Sequence, residues 1–252
     1  MGKRRLRLLS ANIQAGNSTR GYSDYITHSW SHLLPGNGKL GALDAIAALA
    51  QDHDIVGLQE TDPGSLRSGF TNQTHYLAER AGFSWWSHQP NRMIGKLATT
   101  ANGLLSRIEP SAVEEYPLPG RIGGRGVLLA SFGKGDAALK VAIAHLSLGN
   151  QSRLSQLAFI AELLSNQDHA VLMGDFNCDP GCREMRTLFQ QTQLQPPSQR
   201  IPTFPSWRPQ RAIDHLLVTP ALSIAGMRAV PAAQSDHLAL SVELDVPEAA
   251  LR

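Results

Sequence analysis

Apolar runs that stop on a carboxylate, an amide or an imidazole recur along this chain. Val171-Leu172-Met173-Gly174 runs into Asp175-Phe176-Asn177. Side chains two apart on a strand share a face. If the strand end stays extended, Asp175 and Asn177 enter one cavity and Phe176 turns into the packing. Residues 54–60 repeat the form, a short apolar run that ends on Glu60. Such runs suit strands covered on both faces. Residues 5–13 read as a first strand with Asn12 near its end, and residues 138–144 as a strand delivering His145-Leu146. Residues 212–218 read as a strand carrying Asp214-His215, and Ser235-Asp236-His237 leads into a last strand over 238–244. Further strands are expected over 83–88, 102–107 and 125–132.

Between these runs the period changes. Leu40, Leu43, Ile46 and Ala47 recur at about 3.6 residues and predict a helix over residues 39–51. The same spacing predicts helices over 72–82 and over 152–165, the latter with Leu154, Leu157, Ile160, Ala161 and Leu164 on one side. Gly133-Lys134-Gly135-Asp136 is a tight-turn signal that joins two strands into a hairpin. Residues 14–35, 61–69 and 196–209 read as loops, 93–101 as a loop or hairpin, and 110–120 as a polar connection. Strands and helices alternate with no repeat, low-complexity block or linker, so the expectation is one α/β domain over 1–252.

Composition narrows this picture a little. The chain is 42% hydrophobic and 17% charged over 252 residues, an ordinary globular balance. A net charge of +2 permits an anionic substrate without demanding a nucleic-acid partner. Cys178 and Cys182 form a lone C-x3-C, without the second pair of a structural zinc site and with no disulfide framework. His28 and His32 could share a helix face, but no zinc-protease signature surrounds them. Lys3-Arg4-Arg5 resembles the start of a signal peptide, yet the apolar stretch that follows is too short for one. With no apolar run of membrane-spanning length, the expectation is a cytoplasmic, monomeric protein.

Asn12, Glu60, His145, Asp175, Asn177, Asp214, Asp236 and His237 all fall where strands end. Alone, a histidine there is more often packed or on the surface, and an aspartate more often a turn residue. Together they point to one crevice, because ligands gather at the strand ends of a mixed sheet. Carboxylates, amides and imidazoles suit a phosphate centre: acids move protons or bind a hard cation, and amides donate to non-bridging oxygens.

The order of motifs resembles the endonuclease/exonuclease/phosphatase superfamily of metal-dependent phosphoesterases. The matching pieces are Asn12, Gln59-Glu60, Asn102-Gly103-Leu104-Leu105-Ser106-Arg107, His145-Leu146, Gly174-Asp175-Phe176-Asn177, Ile213-Asp214-His215 and Ser235-Asp236-His237. The resemblance implies a four-layered α/β sandwich with two mixed sheets face to face and helices outside. It implies that Glu60 binds Mg²⁺ or Mn²⁺, with Asn12 as a ligand or its neighbour and Asp236 as a second metal contact. It implies that Asp214 orients His237, and that His237 activates water or neutralises the phosphate. Asp175 would position or deprotonate water or protonate the leaving oxygen, Asn177 and His145 would hold phosphoryl oxygens, and Asn102 and Arg125 would contact substrate.

Two departures sharpen the reading. Relatives that cut at abasic DNA sites usually carry an N-x-Y pattern where this chain has Ala144-His145-Leu146. The histidine is more similar to pancreatic-type deoxyribonucleases, bacterial sphingomyelinases and inositol-phosphate phosphatases. Asp214 is followed by His215 rather than Tyr or Phe, and His215 alternates to the packing side. The expected activity is phosphodiester hydrolysis, first on DNA or RNA. Arginines such as Arg125, Arg208 and Arg211 would track phosphates, and Trp30, Trp85 and Trp207 would stack bases; as plainly, they are surface cations and core aromatics. The alternatives are a phospholipid head-group or small-phosphoester hydrolase, and a binding module without turnover.

Overall fold

A computed structural model describes residues 2–14, 37–94, 98–121, 123–233 and 235–252. The strands are β1 (Lys3–Asn12), β2 (Ile55–Thr61), β3 (Trp85–Ile94), β4 (Ala98–Ser106), β5 (Ala112–Pro117), β6 (Gly126–Phe132), β7 (Leu139–His145), β8 (Ala170–Asp175), β9 (Asp214–Val218), β10 (Ser223–Pro231) and β11 (Leu238–Pro247). The helices are α1 (Asn37–Ala50), α2 (Gln73–Ala81), α3 (Asn150–Leu164) and α4 (Arg183–Gln191). One sheet has the order β10-β11-β1-β2-β4-β3 and the other β5-β6-β7-β8-β9. The central pairs β1–β2 and β7–β8 are parallel, and every other neighbour is antiparallel.

Alternation within each strand sorts the apolar residues into separate cores. Leu6 and Leu8 of β1 meet Val171 and Met173 of β8 between the sheets. Leu9 and Ala11 turn the other way, onto Leu43, Ile46 and Ala47 of α1 and Leu77 of α2. Leu172 of β8 likewise faces Leu157 and Ile160 of α3 and Met185 of α4. Both faces of the central strands are covered, which is why they read as continuous apolar runs. The result is helices, sheet, sheet, helices: the expected four-layered α/β sandwich.

Close approach sets two glycines. A Cβ on Gly57 would come within 2.6 Å of the Met173 side chain across the sheet interface. Gly174 has φ +142, and a Cβ there would lie 1.9 Å from the carbonyl oxygen of Ala144 on β7. Gly174→Ala is expected to cost about 3 kcal/mol or more, since backbone strain and a clash with main chain add. A fall in the urea midpoint at an unchanged m-value checks this.

The predicted helices and central strands form with shifts of a few residues. Asn72 caps α2 by accepting from His75 N, and Gly82 ends it in the left-handed conformation. Within the stretch read as a loop or hairpin, Met93 and Ile94 close β3 and residues 98–101 open β4, and the two strands pair out to Ile94 and Ala98; residues 95–97 lie outside the described residues. Three elements escape the periodicity. β5, read as a polar connection, and β10 lie at sheet edges and carry mostly exposed or half-buried residues, as edge strands do. α4 buries only Glu184, Met185 and Leu188 of nine residues, too few to mark a stripe. Most of the 14–35 loop, with Trp30, His28 and His32, lies outside the described residues. Among the described residues no helix is long and apolar enough to cross a membrane.

Candidate active site

Strand parity collects the polar residues. Asn12 continues the face of Leu6 and Leu8, His145 that of Val141 and Ile143, and Asp175 that of Val171 and Met173, so each ends the apolar inter-sheet layer with a polar group. Parallel pairing puts these ends side by side, with His145 opposite Asp175 in register. β9 runs back antiparallel, so it opens with Asp214 opposite Asp175. His237 immediately precedes β11.

Asp175 is the hub. Its Oδ2 accepts from Asn12 Nδ2 at 3.1 Å and lies 3.4 Å from His145 Nε2 and 3.9 Å from His237 Nε2. Its Oδ1 accepts from the backbone N–H of Asn177 at 2.9 Å. The far side of the His237 ring is fixed: Nδ1 donates to Asp214 Oδ2 at 2.8 Å, and that oxygen also accepts from Thr203 Oγ1 at 2.5 Å. Phe204 packs on the same imidazole, 4.9 Å between ring centres. Ser235 Oγ accepts from His237 N at 3.1 Å and donates to Asn12 O at 2.7 Å, tying the loop before β11 to the end of β1.

Glu60 reaches the cleft by a route parity does not give. Val56 and Leu58 face the helices, so Glu60 should follow them. A bulge between Leu58 and Thr61 in the β2–β4 pairing, with φ +59 at Glu60, re-aims it. Its Oε1 lies 3.9 Å from His145 Nε2. Bulges that turn a side chain, and left-handed non-glycine residues, are typical devices of functional sites.

Asn177 also departs from the extended form. β8 ends at Asp175, and Asn177 adopts φ +55 with its Nδ2 donating to Leu146 O at 2.9 Å. The amide braces the loop after β7. Phe176 is fully buried and packs on His215, 5.1 Å between rings. His215 Nε2 meets Cys178 O at 2.8 Å, so this histidine faces away from the cleft.

Asn102, expected to contact substrate, lies outside the group of side chains gathered around Asp175. Its side chain is fully buried, and Nδ2 donates to Gly126 O at 2.9 Å and Gln89 Oε1 at 3.2 Å. It joins the two sheets beneath the site. Arg125, in contrast, lies near enough to His145 for its charge to act on that ring. Thr203, Phe204 and Ser235 belong to the site although the sequence marks them weakly. A hydroxyl or an aromatic beside a proline is common in any loop.

Burial and mutual repulsion shape the charges. Burial is the main force pushing Asp175 up to about 7, with Asp214 and Glu60 adding and His237 opposing. Burial likewise lifts Asp236 to about 6, with Glu60 and Asp214 adding. Burial pulls His237 down, but the charges of Asp214 and Asp175, the Asp214 hydrogen bond and Asp236 outweigh it, and the imidazole is pushed up to about 10. His145 is held well below the ordinary imidazole range by burial, then by the charges of Arg125 and His237. At neutral pH the cleft therefore contains a protonated His237 and a neutral His145. The His145 contacts with Asp175 and Glu60 are then polar contacts rather than ion pairs.

Acids outnumber the cations in this cleft, a donor set that fits a hard divalent cation. Ligating atoms of Asp175, Asp214 and His237 lie within 4.8 Å of one another. Asp214 Oδ2 is already shared by His237 and Thr203, and a protonated imidazole cannot ligate. Glu60, Asp175 and Asp236 offer the better oxygens, and Glu60 is the most open, with 31% of its side chain exposed.

A family model described as the Endonuclease/Exonuclease/phosphatase family matches residues 9–237. No curated protein matches the sequence. Among solved structures, an endonuclease/exonuclease/phosphatase from Beutenbergia cavernae DSM 12333 superposes with a TM-score of 0.76 at 20% identity, over 96% of this chain and 72% of that one. A mannosyl-6-phosphatase from Bacteroides thetaiotaomicron VPI-5482 gives 0.68 at 19% identity, over 95% of this chain and 99% of that one. D. rerio TDP2 complexed with a single-strand DNA product gives 0.64 at 16% identity, over 95% and 98%.

Proposed function

Because the chain belongs to the endonuclease/exonuclease/phosphatase family, whose members are generally phosphoesterase hydrolases, we propose that it is a divalent-metal-dependent phosphodiesterase acting on a nucleic-acid strand. The observation that carries the reading is the buried His237–Asp214 pair, 2.8 Å apart, set across the cleft from Asp175.

Each residue then has a task. Asp175, poised near neutrality, orients the attacking water and accepts its proton. His237 stays cationic because Asp214 holds Nδ1, leaving Nε2–H to donate to a non-bridging phosphoryl oxygen as charge builds there. Neutral His145 and the amide of Asn12 add donors that need no further ionisation. One hydrogen of the Asn177 amide is committed to Leu146 and the other remains for substrate. Glu60, with Asp236 as second contact, would hold Mg²⁺ or Mn²⁺, which supplies Lewis acidity and neutralises the crowded carboxylates when bound.

The choice of a nucleic acid rests on what borders the site. The loop with the partly exposed Trp207 and the exposed Arg208 and Arg211 leads from Phe204 and is tied to Asp236 O through Ser206 N. Cations beside an aromatic suit a phosphate backbone with stacking bases. The likeness to D. rerio TDP2 with its single-strand DNA product is consistent with this; that to a mannosyl-6-phosphatase makes monoesters the competing class.

The test compares bis(p-nitrophenyl) phosphate with p-nitrophenyl phosphate in Mg²⁺, Mn²⁺ or EDTA. Diester turnover abolished by EDTA, by Glu60→Ala and by His237→Ala is expected. Turnover of the monoester alone would sink the diesterase reading. Metal binding has its own readout in thermal melts. At about 100 times Kd a cation should contribute about 2.7 kcal/mol, a rise in Tm of about 5–10 °C for a chain of this size. The rise should be larger at pH 8 than at pH 5, because Asp175 at about 7 and Asp236 at about 6 ionise across that interval.

A further inference from the structure

Beside the reaction centre lies a groove of about 620 Å³ that the catalytic residues do not fill. Pro119, Gly120, Arg121, Gly123 and Arg125 form one wall, and the residues from Ser147 through the first turn of α3 form the other. Its polar lining is one-sided. Arg121 and Arg125 supply two guanidinium groups, Ser147, Ser152 and Asn150 supply neutral donors, and no described lining residue carries a carboxylate. Arg121 is exposed and makes no ion pair with any described residue. Gly149 caps α3 without a side-chain hydrogen bond and the first turn is free of acids, so the positive end of the helix meets no opposing charge there; Asn150 Oδ1 accepts from Gln151 N at 2.8 Å. The contrast with the acid-crowded cleft next to it is sharp.

The groove is continuous with that cleft. Ser147 follows His145 by two residues, and the intervening Leu146 is held by its N–H to Asp175 O at 2.9 Å and by its carbonyl to Asn177 Nδ2 at 2.9 Å. Arg125 lines the groove and lies near His145, bridging the two spaces. Leu148 on the same wall is 78% exposed and offers an apolar face beside the cations. Cations, hydroxyls and an apolar face together match a nucleotide unit, whose phosphate is anionic, whose sugar presents C–H faces and oxygens, and whose base is flat. A lone phosphomonoester would leave the groove empty.

We infer that this groove binds a second phosphate of the substrate strand, adjacent to the scissile one, with Arg121 as its specificity-determining cation and Leu148 against the neighbouring sugar or base. The inference rests on the phosphodiesterase reading and selects, within it, substrates that carry phosphates in series.

The probe is a fluorescein-labelled dT10 oligonucleotide, set against bis(p-nitrophenyl) phosphate, which has no second phosphate. Arg121→Glu is expected to lower the ratio of kcat/KM on dT10 to that on the small diester by about tenfold. It should also flatten the salt dependence of dT10 affinity, measured by anisotropy in EDTA, by about 0.7 in the log–log slope, the share of one single-strand phosphate contact. Leu148→Ser should lower the same ratio with an unchanged salt slope. Equal losses on both substrates, or no loss of dT10 affinity, would overturn the subsite. Wild type that binds dT10 in an Arg121-dependent way yet cleaves no diester would leave the groove standing and overturn the phosphodiesterase reading instead. Near-ultraviolet circular dichroism of each variant separates a lost contact from a lost fold.

Discussion

Replacing His237 with alanine is expected to lower kcat on bis(p-nitrophenyl) phosphate by about 10³-fold while KM moves little. A preorganised donor aimed at charge that appears only in the transition state contributes about 10²–10³. A cationic donor in a site that is buried except at the cleft lies at the upper end of that range. Asp214→Asn is the more diagnostic partner. It keeps the shape of the pair but removes the charge that holds His237 up to about 10. The alkaline limb of the kcat profile should move down by two or more pH units in that variant, and kcat at neutral pH should fall by about tenfold to a hundredfold. The stability effect has a fixed sign. His237 is raised above its ordinary 6.5, so its interaction with Asp214 stabilises the fold fully below about pH 6.5 and is lost as pH rises through about 10. Wild type and Asp214→Asn should therefore differ most in neutral and acid solution and converge in alkali. An alkaline limb that stays put would show that Asp214 does not control the imidazole.

The central strands and the site were legible for the same reason. β1, β2, β7 and β8 are covered on both faces, so they read as unbroken apolar runs, and a polar residue at their ends stands out. Simple parity from Val171 and Met173 carries Asp175 into the inter-sheet cleft. Parity fails at Glu60 and Asn177, where the backbone turns left-handed. Asparagine tolerates positive φ and is a common turn residue, a weak signal at Asn177; nothing about a glutamate announces the change at Glu60. The consequence for Asn177 is a different partner: the extended form would have aimed its side chain beside Asp175, and the bend instead bonds it to Leu146.

The elements that escaped detection, β5, β10 and α4, are those whose burial is shallow. Ala112 to Pro117 carries only exposed and half-buried residues, with the adjacent Glu114 and Glu115 both exposed. An edge strand needs such charges to discourage further pairing, and the same charges erase its periodic signal. Asn102 is the opposite case. An amide in the order of the family motifs points to substrate, and in the fold its Nδ2 bonds Gly126 O and Gln89 Oε1 under the cleft, contacts that sequence order does not express. Thr203 and Phe204 come close to His237 through a long-range fold contact, Leu238 N to Thr203 O at 2.9 Å, that sequence spacing cannot express.

Asp175→Asn should separate activity from stability in opposite directions. Loss of the group that handles the water proton is expected to lower kcat by about 10²–10⁴. The metal-free fold should at the same time become more stable above neutral pH. Asp175 is raised from 3.8 to about 7 chiefly by burial, so the folded protein binds that proton more tightly than the unfolded chain. Wild-type stability consequently falls as pH climbs from about 3.8 to about 7 and stays lowered above that. The asparagine carries no charge to desolvate, and its carbonyl oxygen can still accept from Asn12 or from Asn177 N–H. In EDTA at pH 8 the variant is expected to gain about 2–4 kcal/mol, a Tm higher by about 4–16 °C, and at pH 4 to match wild type. Saturating Mg²⁺ or Mn²⁺ should narrow the gap, because a cation offsets the wild-type carboxylate and has less to offset in the variant. A Tm below wild type at pH 8 would mean that Asp175 is ionised comfortably in the folded cleft, and would remove it as the proton acceptor.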